Sequence, residues 1–250
     1  MENTITYDCR WSNNLDEKFI NDFRTMCSTV FNYDFTIKEF RRKYLNNIYG
    51  DSLLVVVYMD GKPCAARALW RNDVNGNEAY QPGDTCVLDV CRGKGIFSQM
   101  TRKAISMVPK DAIIYNFPNQ NSYPGYMKMG WTLLHDYHQK LLTSYKNFVL
   151  GHPQMMDDKY FNWWVKGRNL MYTKCDGHYF LICKDNRPFC YRVIAEVSKK
   201  NAQQFPYRRL GLFFYKSKDL TWYNKRFAAS HVVTRNPEIG YIPTWKIDAL

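Results

Sequence analysis

Residues 87–105, VLDVCRGKGIFSQMTRKAI, restrict the fold more than any other stretch. An apolar, β-like run from Val87 to Val90 meets Arg92-Gly93-Lys94-Gly95, and an amphipathic segment begins at Ile96. A period-two pattern that gives way to a period-3.6 pattern across a glycine turn is a strand–turn–helix unit. Gly93 and Gly95 have no Cβ, so backbone N–H groups there can approach a ligand closely. The N-terminus of the following helix adds free N–H donors and partial positive charge, and together these favour a phosphate or pyrophosphate. The loop is not a Walker A loop, which needs GxxxxGK before Ser or Thr, and it lacks the third glycine of a dinucleotide fingerprint. The same residues would also serve as a plain turn between strand and helix.

Upstream, LDEKFINDFRTMCSTVF spaces Leu15, Phe19, Ile20, Phe23, Met26, Cys27 and Val30 at threes and fours, one face of a helix. TIKEFRRKYLNNIYG predicts a second helix, with Thr36 as cap and Glu39 three residues on, stopping near Gly50. SLLVVVYMDGKPCAARALWRND reads as a β-hairpin turning at Asp60-Gly61. NGNEAYQPGD reads as a loop, TCVLDVC as a strand, and IFSQMTRKAISMV as a helix ending before Pro109. AIIYNF is a further strand, YMKMG a short helical turn, and WTLLHDYHQKLLTSY a last strand. This order predicts an α/β (α+β) domain with a mixed sheet over residues 1–146. HYFLICKD, FCYRVIAEV, RLGLFFYK and SHVVTR predict a smaller, β-rich second domain over 147–250, and no internal repeat is evident in the sequence.

The chain of 250 residues carries no apolar run near the roughly 20 residues of a membrane span, and its N-terminus has no apolar signal core. A soluble, cytoplasmic protein is the expectation. Eight cysteines contain no CxxC pair and five histidines form no array with them, so free thiols and no metal are expected. Net charge is +12. Residues 1–150 hold 18 Lys and Arg against 15 Asp and Glu, whereas residues 151–250 hold 17 against 8. The basic excess of the last hundred residues could meet a polyanion or an acidic substrate, or simply solvate the surface.

The glycine loop does not stand alone. Some 25 residues further, PNQNSYPGYMKMGW presents Asn119, Ser122, Tyr126, Gly130 and Trp131. The two stretches resemble, in order and spacing, the acyl-CoA pyrophosphate loop and the second motif of the GNAT N-acetyltransferase superfamily. Arg92 and Gly95 take the first two fixed positions of the loop, and Phe97 stands where Gly or Ala is usual. KYLNNIYGDSLLVVVYMDGKPCAARALWRND, DTCVLDVCRGKGIF and IIYNFPNQNSYPGYMKMGW together look like the branch found in bacterial surface-polysaccharide gene sets. DKYFNWWVKGRNLMY looks like the start of that branch's shorter, GNAT-like C-terminal half.

The resemblance implies a splayed, mixed central sheet flanked by helices. It also implies transfer of an acetyl or related acyl group from acyl-CoA to an amine or hydroxyl, by direct attack in a ternary complex. Val87 and Val90 would flank pantetheine, the loop Arg92, Gly93, Lys94, Gly95, Ile96 and Phe97 would hold pyrophosphate, and Asn119 with Ser122 would position the cofactor. Tyr126 matches the position that gives a proton to the departing thiolate, and a phenol near pKa 10 suits that task. It could equally be an aromatic side chain packed beside Trp131. A base must take the proton of an attacking amine; Asp84 leads, followed by Asp89, Glu78 and His135. Cys91 reads as incidental to a direct transfer. The acceptor would be a small molecule, a nucleotide- or lipid-linked amino sugar in polysaccharide precursor synthesis. A second reading is a GNAT-shaped binding or virion protein without catalysis, whose basic half contacts nucleic acid or another polyanion. Among the aromatics of that half, Trp163, Trp164 and Arg168 are candidates for a stacking surface, with core packing as the simpler role.

Overall fold

The computed structural model describes residues 4–151, 155–217, 230–239, 241–243 and 246. The chain forms two units: Met1–Thr132 with Val233–Ile239, and Leu133–Val232 with Gly240–Leu250. The first is built from β1 (Ile5–Trp11), α1 (Glu17–Phe31), α2 (Ile37–Phe40), β2 (Leu53–Met59), β3 (Lys62–Arg71), β4 (Ala79–Val87), α3 (Ile96–Met107), β5 (Ile113–Asn116) and α4 (Tyr123–Lys128). The second contains nearly all of β6 (Thr132–Leu141), then α5 (Tyr145–Gly151), α6 (Asp158–Trp164), β7 (Met171–Cys175), β8 (His178–Lys184), β9 (Cys190–Val197), α7 (Lys199–Ala202) and β10 (Leu212–Ser217). The last strand, β11 (Ser230–Thr234), ends in the first unit.

Helix α1 follows the expected stripe, burying Phe19, Phe23, Met26 and Cys27, and the Asp16 carboxylate accepts the N–H of Phe19 as its cap. Thr36 and Glu39 form a capping box on α2, which continues as a π turn over Arg41–Leu45. In β2 the run Leu53–Val57 is buried at every position, as a strand covered on both faces requires. The hairpin turns at Asp60 and Gly61, both at positive φ.

Three segments differ from the sequence expectation, the first being the second helix, which ends at Leu45 and not near Gly50. The N-terminal residues form β1, paired antiparallel with β2, with Ile5, Tyr7, Cys9 and Trp11 packed against the core at period two. The expected loop NGNEAYQPGD contributes most of β4, which runs from Ala79 to Val87 and not from Thr85 to Cys91. Its Pro82 and Gly83 pair with Leu69 and Ala68 of β3. Strand β5 pairs with β4 at Ala79 and Tyr80, so among the described residues β4 has no strand partner on that side beyond Tyr80, and a proline is tolerated there.

The first sheet runs β1-β2-β3-β4-β5, antiparallel except for the parallel β4–β5 pair, with Val233 and Thr234 of β11 antiparallel to β5. The second runs β6-β10-β9-β8-β7, antiparallel except for the parallel β9–β10 pair. Each therefore contains three antiparallel strands, a helix, and a fourth strand parallel to the third: β2-β3-β4-α3-β5 and β7-β8-β9-α7-β10. The repeat absent from the sequence exists in topology. The closing antiparallel strand of each sheet is exchanged: β11, from the chain's end, closes the first, and β6, from its middle, closes the second. Among the described residues no helix is long and apolar enough to cross a membrane.

Candidate functional site

Strand β3 carries the feature that organises the site. Cys64 through Trp70 are all buried, and in their midst lies Arg67, at 0% exposure. A β-bulge between Ala66 and Ala68 sets it opposite Asp84 and Thr85 of β4. Its Nη2 donates to the Tyr126 hydroxyl at 3.2 Å, and its Nη1 donates to Thr101 Oγ1 of α3. Thr101 in turn donates to the Phe97 carbonyl. The guanidinium lies 4.6 Å from the centre of the Phe97 ring and 5.7 Å from that of Tyr126. Its buried Nε has no hydrogen-bond partner, and among the described residues no carboxylate pairs with it. Burial weakens Arg67's hold on its proton. Burial raises the Tyr126 phenol, partly offset by the Arg67 charge and by hydrogen bonds from Arg67 and Asn116. The sequence signal for Arg67 is a single cation within PCAARALW, outside both motifs of the glycine loop and the PNQNSYPGYMKMGW stretch.

Tyr126 is buried and packs edge-on against Trp131 (4.7 Å between centroids) and Phe97 (5.5 Å). The Phe97 ring rests on Gly125, where a Cβ would stand 2.9 Å from it. Phe97 of α3, Gly125 and Tyr126 of α4, and Arg67 of β3 thus form one contact cluster.

The loop before α3 has the anticipated geometry. Gly93 and Gly95 sit at φ 77° and 76°, and Gly95 caps α3 without a side-chain hydrogen bond. The first bond into the helix runs from Gln99 N–H to the Gly95 carbonyl. The amides of Ile96, Phe97 and Ser98 therefore lie at the open end of the helix, where the i−4 pattern supplies no acceptor. Residues Arg92–Gly95 are exposed, with Arg92 paired to Asp89 at 2.8 Å and Lys94 Nζ 3.7 Å from Met59 Sδ. Ile96 is buried in the core. Val87 is the last residue of β4, opposite Ala65, whereas Val90 lies in the 3₁₀ turn Asp89–Cys91 with its side chain 75% exposed. Cys91 is buried beside Cys64, whose thiol is pushed up to about 12 by burial and by Cys91.

Asn119 Oδ1 accepts from both the N–H and the hydroxyl of Ser122, each at 2.9 Å, which ties the two residues together at the start of α4. Asp84, at φ 44°, accepts from Lys43 Nζ at 3.2 Å and from the Tyr44 hydroxyl, both on the π turn. The Lys43 ammonium also faces the Trp70 ring at 5.0 Å. No hydrogen bond joins Asp84 to Tyr126. Of the other carboxylates considered as base, Asp89 pairs with Arg92, and Glu78 pairs with Arg71 and accepts from the Tyr80 hydroxyl. His135 lies in the second unit, beside Tyr137 and Tyr241. Trp163 and Trp164 are buried core side chains, and the half-buried Arg168 stacks 4.2 Å over the Trp164 ring. Among the described residues no group of three or more His, Cys, Asp or Glu could hold a metal ion.

No family model matches the sequence, and no curated protein does. Solved structures match the fold. A GCN5-related N-acetyltransferase from Anabaena variabilis aligns with TM-score 0.55 at 11% identity, over 91% of this chain and 72% of its own. One from Kribbella flavida gives 0.52 at 10% identity, with the same two coverages. A conserved protein from Enterococcus faecalis gives 0.54 at 13% identity, over 93% of this chain and 72% of its own. The parallel β4–β5 pair that parts after two residues, with a glycine loop and α3 between its strands, is thus set in the fold of GCN5-related N-acetyltransferase structures.

Proposed function

We propose that this chain is an acyl-CoA-dependent acyltransferase that moves an acetyl or short acyl group directly to an amine or hydroxyl in a ternary complex. The observation that carries the reading is the glycine cradle at the open end of α3, placed where β4 and β5 part. Its backbone N–H groups, with Arg92 and Lys94 alongside, suit a pyrophosphate. The Phe97 ring is engaged on Gly125 and Arg67, while its amide belongs to the same open turn. In this reading acyl-CoA supplies an activated thioester and a thiolate leaving group.

The chain's own residues then do the following. The loop Arg92–Phe97 binds the cofactor's diphosphate, and Val87 and Val90 border its arm. Asn119 and Ser122 fix the start of α4, and with it the position of Tyr126. Tyr126 gives a proton to the leaving thiolate, and Arg67 holds the phenol and offsets the negative charge left on it. Asp84 receives the acceptor's proton by way of the Tyr44 hydroxyl that it already binds. The reaction belongs to the cytoplasm, where acyl-CoA is available, and the acceptor of this reading is an amino sugar destined for a surface polysaccharide.

Two measurements test it. Millimolar acetyl-CoA should raise Tm, as any ligand selective for the folded state does, and thiol release should follow addition of an amino-sugar nucleotide. Tyr126→Phe should lower kcat by about 10²-fold or more with little change in KM. Absence of stabilisation by acetyl-CoA would overturn the proposal.

A further inference from the structure

The second unit exposes large apolar side chains within a basic collar, and we propose that it docks this face on a membrane surface rich in anionic phospholipid. The turn between β8 and β9 and the approach to β10 lie side by side: the Leu212 N–H donates to the Phe189 carbonyl at 2.9 Å, and β10 starts opposite Cys190. At this junction Phe189 is 73% exposed, Leu210 75% and Leu212 50%.

The turn is held firmly. Asp185 N–H donates to the Cys190 carbonyl at 2.9 Å, and Cys190 N–H to the Arg187 carbonyl at 3.3 Å. Phe189 sits at φ 54°, an unfavourable conformation for a non-glycine residue, and still turns its ring to solvent. Scattered exposed apolar residues are ordinary, but three large ones gathered on two adjoining turns are a patch.

The surrounding charge is one-sided. Residues 184–192 and 207–212 contain Lys184, Arg187, Arg192, Arg208 and Arg209 against Asp185 alone. Arg187 Nε already neutralises Asp185 at 2.8 Å. Apolar tips with basic neighbours match a bilayer that offers an apolar phase beneath anionic headgroups; neither signal suffices alone, and the pair does. Nucleic acid would satisfy the arginines and leave Leu210 and Leu212 in water, which is why lipid is the better occupant. This inference stands apart from the proposed catalysis, since vesicle binding is read without acyl-CoA.

The test is co-sedimentation of the full chain with vesicles of phosphatidylcholine alone, and of phosphatidylcholine mixed with phosphatidylglycerol. Binding to the mixed vesicles should be at least about tenfold stronger. Phe189→Ser with Leu210→Ser should reduce it by about tenfold while leaving Tm unchanged, because both side chains are already in water. Lys184→Glu with Arg209→Glu, two exposed positions, should abolish the preference for the mixed vesicles. Equal binding to both vesicle types would overturn the proposal, as would undiminished binding by the serine pair. So would a duplex DNA fragment that binds more tightly than the vesicles and is indifferent to the serine pair.

Discussion

Arg67 sets a problem in free energy. A guanidinium taken wholly out of water without a carboxylate partner is costly, and two hydrogen bonds and two ring faces offset only part of that cost. Thr101 and Tyr126 each keep another partner, Phe97 O and Asn116, so an apolar residue of similar length would orphan neither. Arg67→Met should therefore be neutral or stabilising by about 1–2 kcal/mol in urea unfolding, while the proposed acyl transfer should fall in parallel with that of Tyr126→Phe. Arg67→Ala, which leaves a cavity, should lose several kcal/mol. Phe97 poses the complementary case. Phe97→Ala removes the ring from Gly125 and Arg67 and should cost about 3 kcal/mol, yet on the proposed function calorimetry should show acetyl-CoA bound at least as tightly, since the Phe97 amide proposed to hold the diphosphate remains.

At the scale of elements, the sequence was most legible where one local rule sufficed. The α1 stripe, the Thr36–Glu39 box, the Asp60-Gly61 hairpin and the glycine entry to α3 all follow from spacing or turn chemistry. It was least legible where partners far along the chain decide. Pro82 and Gly83 look like a loop until β5 is known to leave β4 after Tyr80, and ITYDCRW becomes a strand because β2 offers it an edge. Tyr126 and Asp84 are legible as candidates in the sequence, but Arg67 is not, nor is the division of Tyr126 and Asp84 into separate hydrogen-bond clusters, because a bulge at Arg67 is invisible locally. Strand β10 yields a prediction about pH. Burial, with Arg192 nearby, pulls the Lys216 ammonium down to about 8 from 10.5. Between those values the unfolded chain binds the extra proton, so the fold gains stability as pH rises, and the full cost is present below pH 8. Lys216→Met should thus stabilise by up to about 3 kcal/mol at pH 7, and the advantage should fade toward pH 10 in paired denaturation curves.

For the molecule as a whole, the exchanged strands matter most. Ile114 donates its N–H to Asn236 Oδ1 at 2.9 Å, and its carbonyl accepts from Arg235 N–H and from the Thr234 hydroxyl. A chain cut after residue 229 would leave the outer edge of β5 bare. It should lose about 3 kcal/mol of stability in the first unit and self-associate, which light scattering and urea unfolding would register. The exchange also imposes a timetable on biosynthesis. The strand that closes the first sheet lies about a hundred residues beyond the rest of it, and at ribosomal speeds that is a wait of roughly 5–20 s. Through that interval the nascent chain holds an unfinished sheet edge, so newborn copies should be clients of chaperones that shield bare strands, and each molecule completes its first sheet only once residues 230–234 are made.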